Sequence, residues 1–443
     1  MTKDPDGEAR TAVDHAHALR MRGERDAALR LGIAVLEGAS EQIHAAALVA
    51  RLLAEAGRGV LAGEAAARLC DGYVRRGDYA SAVAAAAIAT AAGEDAAPLH
   101  AQIAKAFAKD SRRLGDVPPA PPPLPVEVRV TPALEKLRGD ALLDRAEAAL
   151  TRFLGEDDGV PADATLPRLP LVGDLGAASL ERLTAALTLR DVPAGEHAVR
   201  QGDEGREAFL VVRGTLRVYR TGDDGRETEL AALGPGALFG EMALVSESPR
   251  AASVQAVEPT VLAVASREAL EQIARKDPAL GAQLATFCRG RMVANLLRHS
   301  AILGAVAPSE RASLMERFET RTFAAGEHLV RKGEETDGLY LVASGTVRVS
   351  SADREGDEVL IATLGPGDVV GEISLVLRRP ATADVVAEHP TVALELRRDR
   401  FQEAIRQHPT LLGELYELAT RREEETRTVV AQEALDASDF VLV

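Results

Sequence analysis

The second half of this chain repeats itself in register. Gly195, Gly202, Gly214, Gly234, Gly236, Gly240 and Glu241 recur as Gly326, Gly333, Gly345, Gly365, Gly367, Gly371 and Glu372, each 131 residues further on. Pro249, Ala252 and Pro278 recur at the same offset as Pro380, Ala383 and Pro409. Ten identities in one register exceed chance, and the constant offset leaves no net insertion or deletion between the copies. The chain from about 166 therefore holds one fold twice. Every position in copy one has a defined partner in copy two.

Inside each copy, short β-type runs alternate with glycine turns, as in Ala208–Val212, Thr215–Arg220 and Glu227–Ala232. That spacing predicts an all-β sandwich or barrel. Each copy reads as a short helix (176–187; 307–317), about eight strands, an apolar Gly-Glu segment, two more strands and a closing helix (279–299; 410–434). The second closing helix contains Arg421-Arg422-Glu423-Glu424-Glu425, which reads most simply as a solvated face.

Upstream, residues 11–109 are rich in Ala and Leu with Gly at the breaks, a helical texture. Tyr73, Gly77, Asp78, Tyr79, Ala82 and Ala89 fall at a spacing similar to that of a tetratricopeptide repeat, and Leu19, Gly23 and Ala28 form a weaker copy. The two lie 54 residues apart, not 34, so the reading stops at tetratricopeptide-like helical hairpins, with a generic alanine-rich bundle as the alternative. The run Val117-Pro118-Pro119-Ala120-Pro121-Pro122-Pro123-Leu124-Pro125 is an extended spacer that holds neither helix nor central strand. A helix at 132–154 follows it. The expected division is 1–116 helical, 117–165 Pro-rich linker and helix, 166–299 and 300–434 the two copies, and 435–443 a flexible tail.

Composition narrows the function. The chain has 443 residues, a formal net charge of -16, 3% aromatics and no Trp. That balance opposes nucleic-acid binding, which needs cations and stacking platforms. Cys70 and Cys288 show no metal or redox spacing and read as reduced thiols. The polar start Met1-Thr2-Lys3-Asp4-Pro5-Asp6 lacks an apolar signal core, and no apolar run reaches the ~18 residues of a bilayer span. A cytoplasmic protein is expected. His15 and His17 have no clustered carboxylate or thiol, so no metal site is expected. No catalytic constellation or cofactor motif is visible either.

The Gly-Glu segment holds the chemistry. Copy one reads Phe239-Gly240-Glu241-Met242-Ala243-Leu244-Val245-Ser246-Glu247-Ser248-Pro249-Arg250-Ala251-Ala252-Ser253. Gly240 lets a ligand approach the backbone, and free N–H groups at the following turn attract an anion. Arg250 returns on the next loop with a guanidinium for the same anion. Glu241 would repel a bare phosphate, so it fits a ligand that also offers a hydroxyl, as a sugar phosphate does. Ala251, Ala252 and Ser253 keep the wall thin.

This segment resembles the phosphate-binding cassette of the cyclic-nucleotide-binding domain family, shared by protein kinase A regulatory subunits and catabolite activator protein. Pro193-Ala194-Gly195-Glu196, Gln201-Gly202-Asp203, Phe209-Leu210-Val211-Val212 and Gly214 fit the family's early strands. The resemblance covers about 169–425 and implies two β-roll (jelly-roll-like) domains with flanking helices; with the helical-repeat-like N-terminal domain read above, the chain is expected to be multidomain α+β. It also implies that Glu241 accepts from a ribose 2′-hydroxyl, that Arg250 pairs with the cyclic phosphate, and that N–H groups near Ala243 and Ala251 complete the cradle. Ala251, where a Thr often accompanies cGMP, favours cAMP.

Copy two keeps Gly371, Glu372, Ile373 and Ser374, with Thr382 and Ala383 beyond. It places Ala381 at the position of Arg250 and Asp384 at that of Ser253. Losing one charge of a buried pair costs about 2–5 kcal/mol, so this site reads as degenerate or altered. Arg378 and Arg379 lie on the far side of Pro380. The expectation is a non-enzymatic cAMP or cGMP receptor acting on a protein partner through its helical N-terminus. The alternative is an interaction scaffold in which both β-domains are structural. A transcription regulator is disfavoured because no basic recognition helix is visible. The lack of a pseudosubstrate-like basic stretch in the linker weighs against a kinase regulatory subunit, and a fused kinase or channel is excluded by content.

Overall fold

The glycine register of the sequence becomes a strand register. The computed structural model describes residues 11–38, 42–118, 128–156, 159–222, 225–244, 249–352 and 356–439. Copy one folds Thr188–Val192, Thr260–Ser266, Glu207–Arg213 and Leu238–Phe239, in that spatial order, into one antiparallel sheet. His197–Val199, Ser253–Ala256, Leu216–Thr221 and Glu227–Leu233 form a second. In copy two every strand, from Glu319–Phe323 to Thr391–Arg397, takes the same place with its bounds displaced by 131. Six strands precede the Gly-Glu segment and two follow it, not about eight and two. Strands of two or three residues flanked by glycine turns are too short for side-chain alternation to delimit.

Alternating residues of the two sheets meet in an apolar interior. In copy one Val192, Val199, Phe209, Val211, Leu216, Phe239, Val254, Leu262 and Val264 form that core, with Phe209 stacked on Phe239 at 4.8 Å. Gly214 and Gly345 show why the repeat is written in glycine. Both take positive φ, and a Cβ at either would come within 2.8 Å of a backbone carbonyl, that of Pro259 or Pro390.

Two helices, not one, close each copy. Arg267–Lys276 precedes Pro278–His299, and Arg398–Gln407 precedes Pro409–Asp439. The repeated Pro278 and Pro409 sit at helix starts, where a missing N–H costs nothing. The last helix runs on through 435–439, which the sequence assigns to a tail. Residues 440–443 lie outside the described residues.

The N-terminal region comprises helices Ala12–Met21, Arg25–Leu36, Gln42–Glu55, Gly59–Arg76, Tyr79–Ala91 and Ala97–Phe107. Thr11 and Asp14 form a reciprocal capping box at its start. Gly77 ends the fourth helix in the left-handed conformation, and Asp78 caps the fifth by accepting from the Ser81 N–H. The fifth helix is mostly alanine and buried nearly all round, because it lies between neighbouring helices and the Glu207–Arg213 sheet of copy one.

The helix expected at 132–154 falls at Pro132–Glu135 and Gly139–Leu154. Helix Gly139–Leu154 buries Leu142, Ala146, Ala149 and Leu150 against the second, third and fourth helices, so it is part of the bundle and not of a spacer. Leu114–Gly115 and Leu166–Pro167 then pair in parallel and bracket the excursion. The Pro-rich run at 119–127 lies outside the described residues.

Contacts group the chain into two compact units. The first holds 1–200, 207–241 and 252–284, and the second 201–206, 242–251 and 285–443. Within the first, Arg20 and Arg51 converge on Asp191, and Arg213 reaches Asp14 and Thr11. Helical bundle and first β-domain are thus joined by buried charge.

Candidate functional site

The cassette loops are tied down by paired backbone hydrogen bonds. In copy one the Arg250 N–H donates to the Asp203 carbonyl at 2.9 Å, and the Gly202 N–H to the Arg250 carbonyl at 2.9 Å. In copy two the Ala381 N–H donates to Glu334 at 2.9 Å, and the Gly333 N–H to Ala381 at 2.8 Å. The same two bonds therefore hold Arg250 and Ala381 in equivalent positions. The alignment by register is a geometric fact: the loop that presents a guanidinium in copy one presents a methyl group in copy two.

The rest of the first cassette falls as follows. Gly240 has φ +73, and Glu241 is 5% exposed at the start of a 3₁₀ turn, Glu241–Leu244. Met242 and Arg250 are half-buried, Ala252 likewise, Ala251 is exposed and Ser253 is buried. Gly240, Glu241, Ala252 and Ser253 belong to the first compact unit, whereas Met242, Arg250 and Ala251 belong to the second. Met242 packs against the second unit's apolar cluster, which includes Met292, Leu296, Leu303 and Phe318. The side chain of Ala243 lies outside the described residues, as do residues 245–248.

The second cassette lies wholly in one unit. Gly371 has φ +89, and a Cβ there would stand 2.6 Å from the Gly338 carbonyl, so packing as well as ligand approach demands glycine. Helix Glu372–Val376 follows, with Ser374 accepting from the Thr336 N–H at 3.1 Å and Ile373 half-buried. Ala381 and Ala383 are buried. Thr382 is half-buried, and its hydroxyl has no hydrogen-bond partner among the described residues. Asp384 accepts from the Lys332 N–H at 3.0 Å and lies 3.7 Å from His328. Arg378 and Arg379 are exposed, as their place beyond Pro380 implied, and Arg379 pairs with Glu423 at 3.1 Å.

Glu372 has a partner that the sequence reading missed. It is 3% exposed, and Arg422 donates to its carboxylate at 3.1 Å. Arg422 also donates to the Val369 carbonyl. The run Arg421–Glu425 is therefore not simply a solvated face: Arg421, Glu424 and Glu425 point outward while Arg422 turns in. The signal was present in the spacing. Leu411, Leu415 and Ala419 are buried on this helix, and Arg422 continues their stripe at helical period. Burial pushes the Glu372 carboxyl above its ordinary range, and Arg422 pulls it only part of the way back.

A family model for the cyclic nucleotide-binding domain matches residues 189–277 and 320–408. Two cyclic nucleotide-binding domains lie in tandem here. We call them domains A and B. The chain is 31% identical over 215 residues to a "cAMP-dependent protein kinase type II regulatory subunit" of Drosophila melanogaster, covering 48% of this chain and 53% of the relative. It is 31% identical over 211 residues to a "cAMP-dependent protein kinase regulatory subunit" of Emericella nidulans, covering 46% and 49%. The chain thus spans about half the length of the curated relatives it matches. Among solved structures, the regulatory domain of Toxoplasma gondii PKA with cAMP is 26% identical, covering 58% of this chain and 92% of that one, with a TM-score of 0.28. Both curated relatives bear the description against which the linker's lack of a basic stretch had weighed. Among the described residues, no group of three His, Cys, Asp or Glu is placed to hold a metal ion, and no helix is long and apolar enough to cross a membrane.

Proposed function

We propose that domain A is a receptor for a cyclic nucleotide, cAMP in preference to cGMP, and that domain B is an altered copy. The observation behind this is the matched pair of loops: Arg250 stands in domain A where domain B has Ala381. The buried Glu241 supplies an acceptor for a ribose hydroxyl, and Arg250 a cation for the phosphate. Ala251 at the position after the arginine is the reason for ranking cAMP first. Ligand capture acts on a segment whose half-buried Met242 packs against the apolar cluster of Met292, Leu303 and Phe318. The signal then passes to a protein partner, with the helical, tetratricopeptide-like region as the docking element. The names of the relatives put a kinase catalytic chain first among partners to test.

Titration calorimetry with cAMP and cGMP decides the matter. Wild type should bind cAMP at one site per chain. Arg250→Ala should weaken it by about 2–5 kcal/mol, roughly thirty-fold or more, and Ala381→Gly should leave it unchanged. Absence of binding, or equal binding by Arg250→Ala, refutes the receptor reading. The scaffold reading draws on the same Ala381: a partner captured equally with and without nucleotide supports it.

A further inference from the structure

The register between the copies shows where domain B has spent its charges. Arg422 matches Arg291, so a closing-helix arginine exists in both copies. Arg379 and Glu423, however, match Ser248 and Met292. Domain B has lost the loop cation at Ala381 and gained one at Arg379, two residues earlier and on the outside of Pro380. That cation faces the protein's own helix: Arg379 donates to Glu423 at 3.1 Å, and Glu423 also accepts from Arg427 at 2.9 Å. One residue away Arg422 reaches Glu372 on the inner side. The cassette therefore grips helix Pro409–Asp439 twice, once through a carboxylate 3% exposed and once through a pair at the rim. Leu411, Leu415 and Ala419 set the helix in the domain core below these contacts.

We propose that domain B holds its closing helix against the cassette by an internal latch, Arg422–Glu372 with Arg379–Glu423, and needs no ligand to do so. The buried carboxylate that a ligand hydroxyl would approach is held by a guanidinium of the same chain. The rim pair adds a cross-link that copy one's Ser248 and Met292 cannot make. This inference concerns domain B alone and stands whether or not domain A binds a nucleotide.

Hydrogen exchange on the full chain tests it. In wild type, amides from Tyr416 to Thr428 should be protected without ligand, and adding cAMP or cGMP should leave that protection unchanged. Arg379→Ser combined with Arg422→Gln should speed their exchange about ten-fold, while the strands of domain B keep theirs. Reversing the rim pair guards against a variant that does not fold: Arg379→Glu alone should loosen the segment, and Arg379→Glu with Glu423→Arg should restore it. Equal exchange in wild type and the latch variants overturns the proposal. So does protection that appears only when nucleotide is added.

Discussion

Glu372 is a carboxylate that its surroundings push toward neutrality. Burial raises its pKa above the ordinary 4.5, and the guanidinium of Arg422 opposes but does not cancel that push. From 4.5 up to the raised value, the folded chain keeps a proton that the unfolded chain has released. The contribution to stability is full below 4.5 and is lost as pH rises through the folded value. Domain B should therefore lose stability from this group as pH rises from 4.5 through the raised folded value. Glu372→Gln should flatten the dependence, and Arg422→Gln should steepen it. Urea melts followed by far-ultraviolet circular dichroism across that range measure the slopes. Coincident slopes for wild type and Glu372→Gln would refute the account. At position 250 of copy one and 381 of copy two, by contrast, backbone bonds are the same and only the side chain differs. The chemical difference between the two loops lies in that side chain, not in the fold around it.

At the scale of elements, the sequence disclosed what repeats and concealed what docks. The 131-residue offset related each strand of copy one to its counterpart in copy two, because glycines at positive φ and close approach cannot be replaced without strain. Helices Arg267–Lys276 and Arg398–Gln407 went unread because each directly follows a strand, capped in copy one by Ser266. The inward turn of Arg422 was legible only if the Leu411–Ala419 stripe was extended into a run of charge, and charge usually marks solvent. Helix Gly139–Leu154 was located, but its role was not, since amphipathicity announces a buried face without naming the partner. Its partner is the helical bundle, and Leu150 is fully buried there. Leu150→Ala should thus cost about 2–5 kcal/mol through lost contacts and the cavity left behind. The exposed Asp163, outside that helix, should tolerate alanine. A Leu150→Ala melt that overlays wild type would show that the helix adds nothing to the stability of the bundle.

For the whole molecule, the division that matters is not the one between helices and sheets. The bundle shares one unit with residues 207–241 and 252–284 of the first β-domain, and part-buried charges link them. Asp191 accepts from Arg51 at 2.7 and 3.1 Å and also from Arg20, which itself reaches Glu55 at 3.1 Å. Arg20 is only 6% exposed, so it cannot turn to water for a replacement. Burial already lowers the pKa of Arg51, with Asp191 the leading opposing influence. Asp191→Ala would leave Arg20 and Arg51 with Glu55 as their shared carboxylate, and loss of a charge from this part-buried set should cost about 1–3 kcal/mol. Two calorimetric transitions are expected, one for each unit. Asp191→Ala should lower the first and leave the second in place, since no residue of 285–443 takes part in the cluster. A variant that lowers both equally, or a helical fragment that melts independently of domain A, would break the case for a fused unit. If the first transition alone moves, the N-terminal helices and the Glu207–Arg213 sheet unfold as one cooperative body.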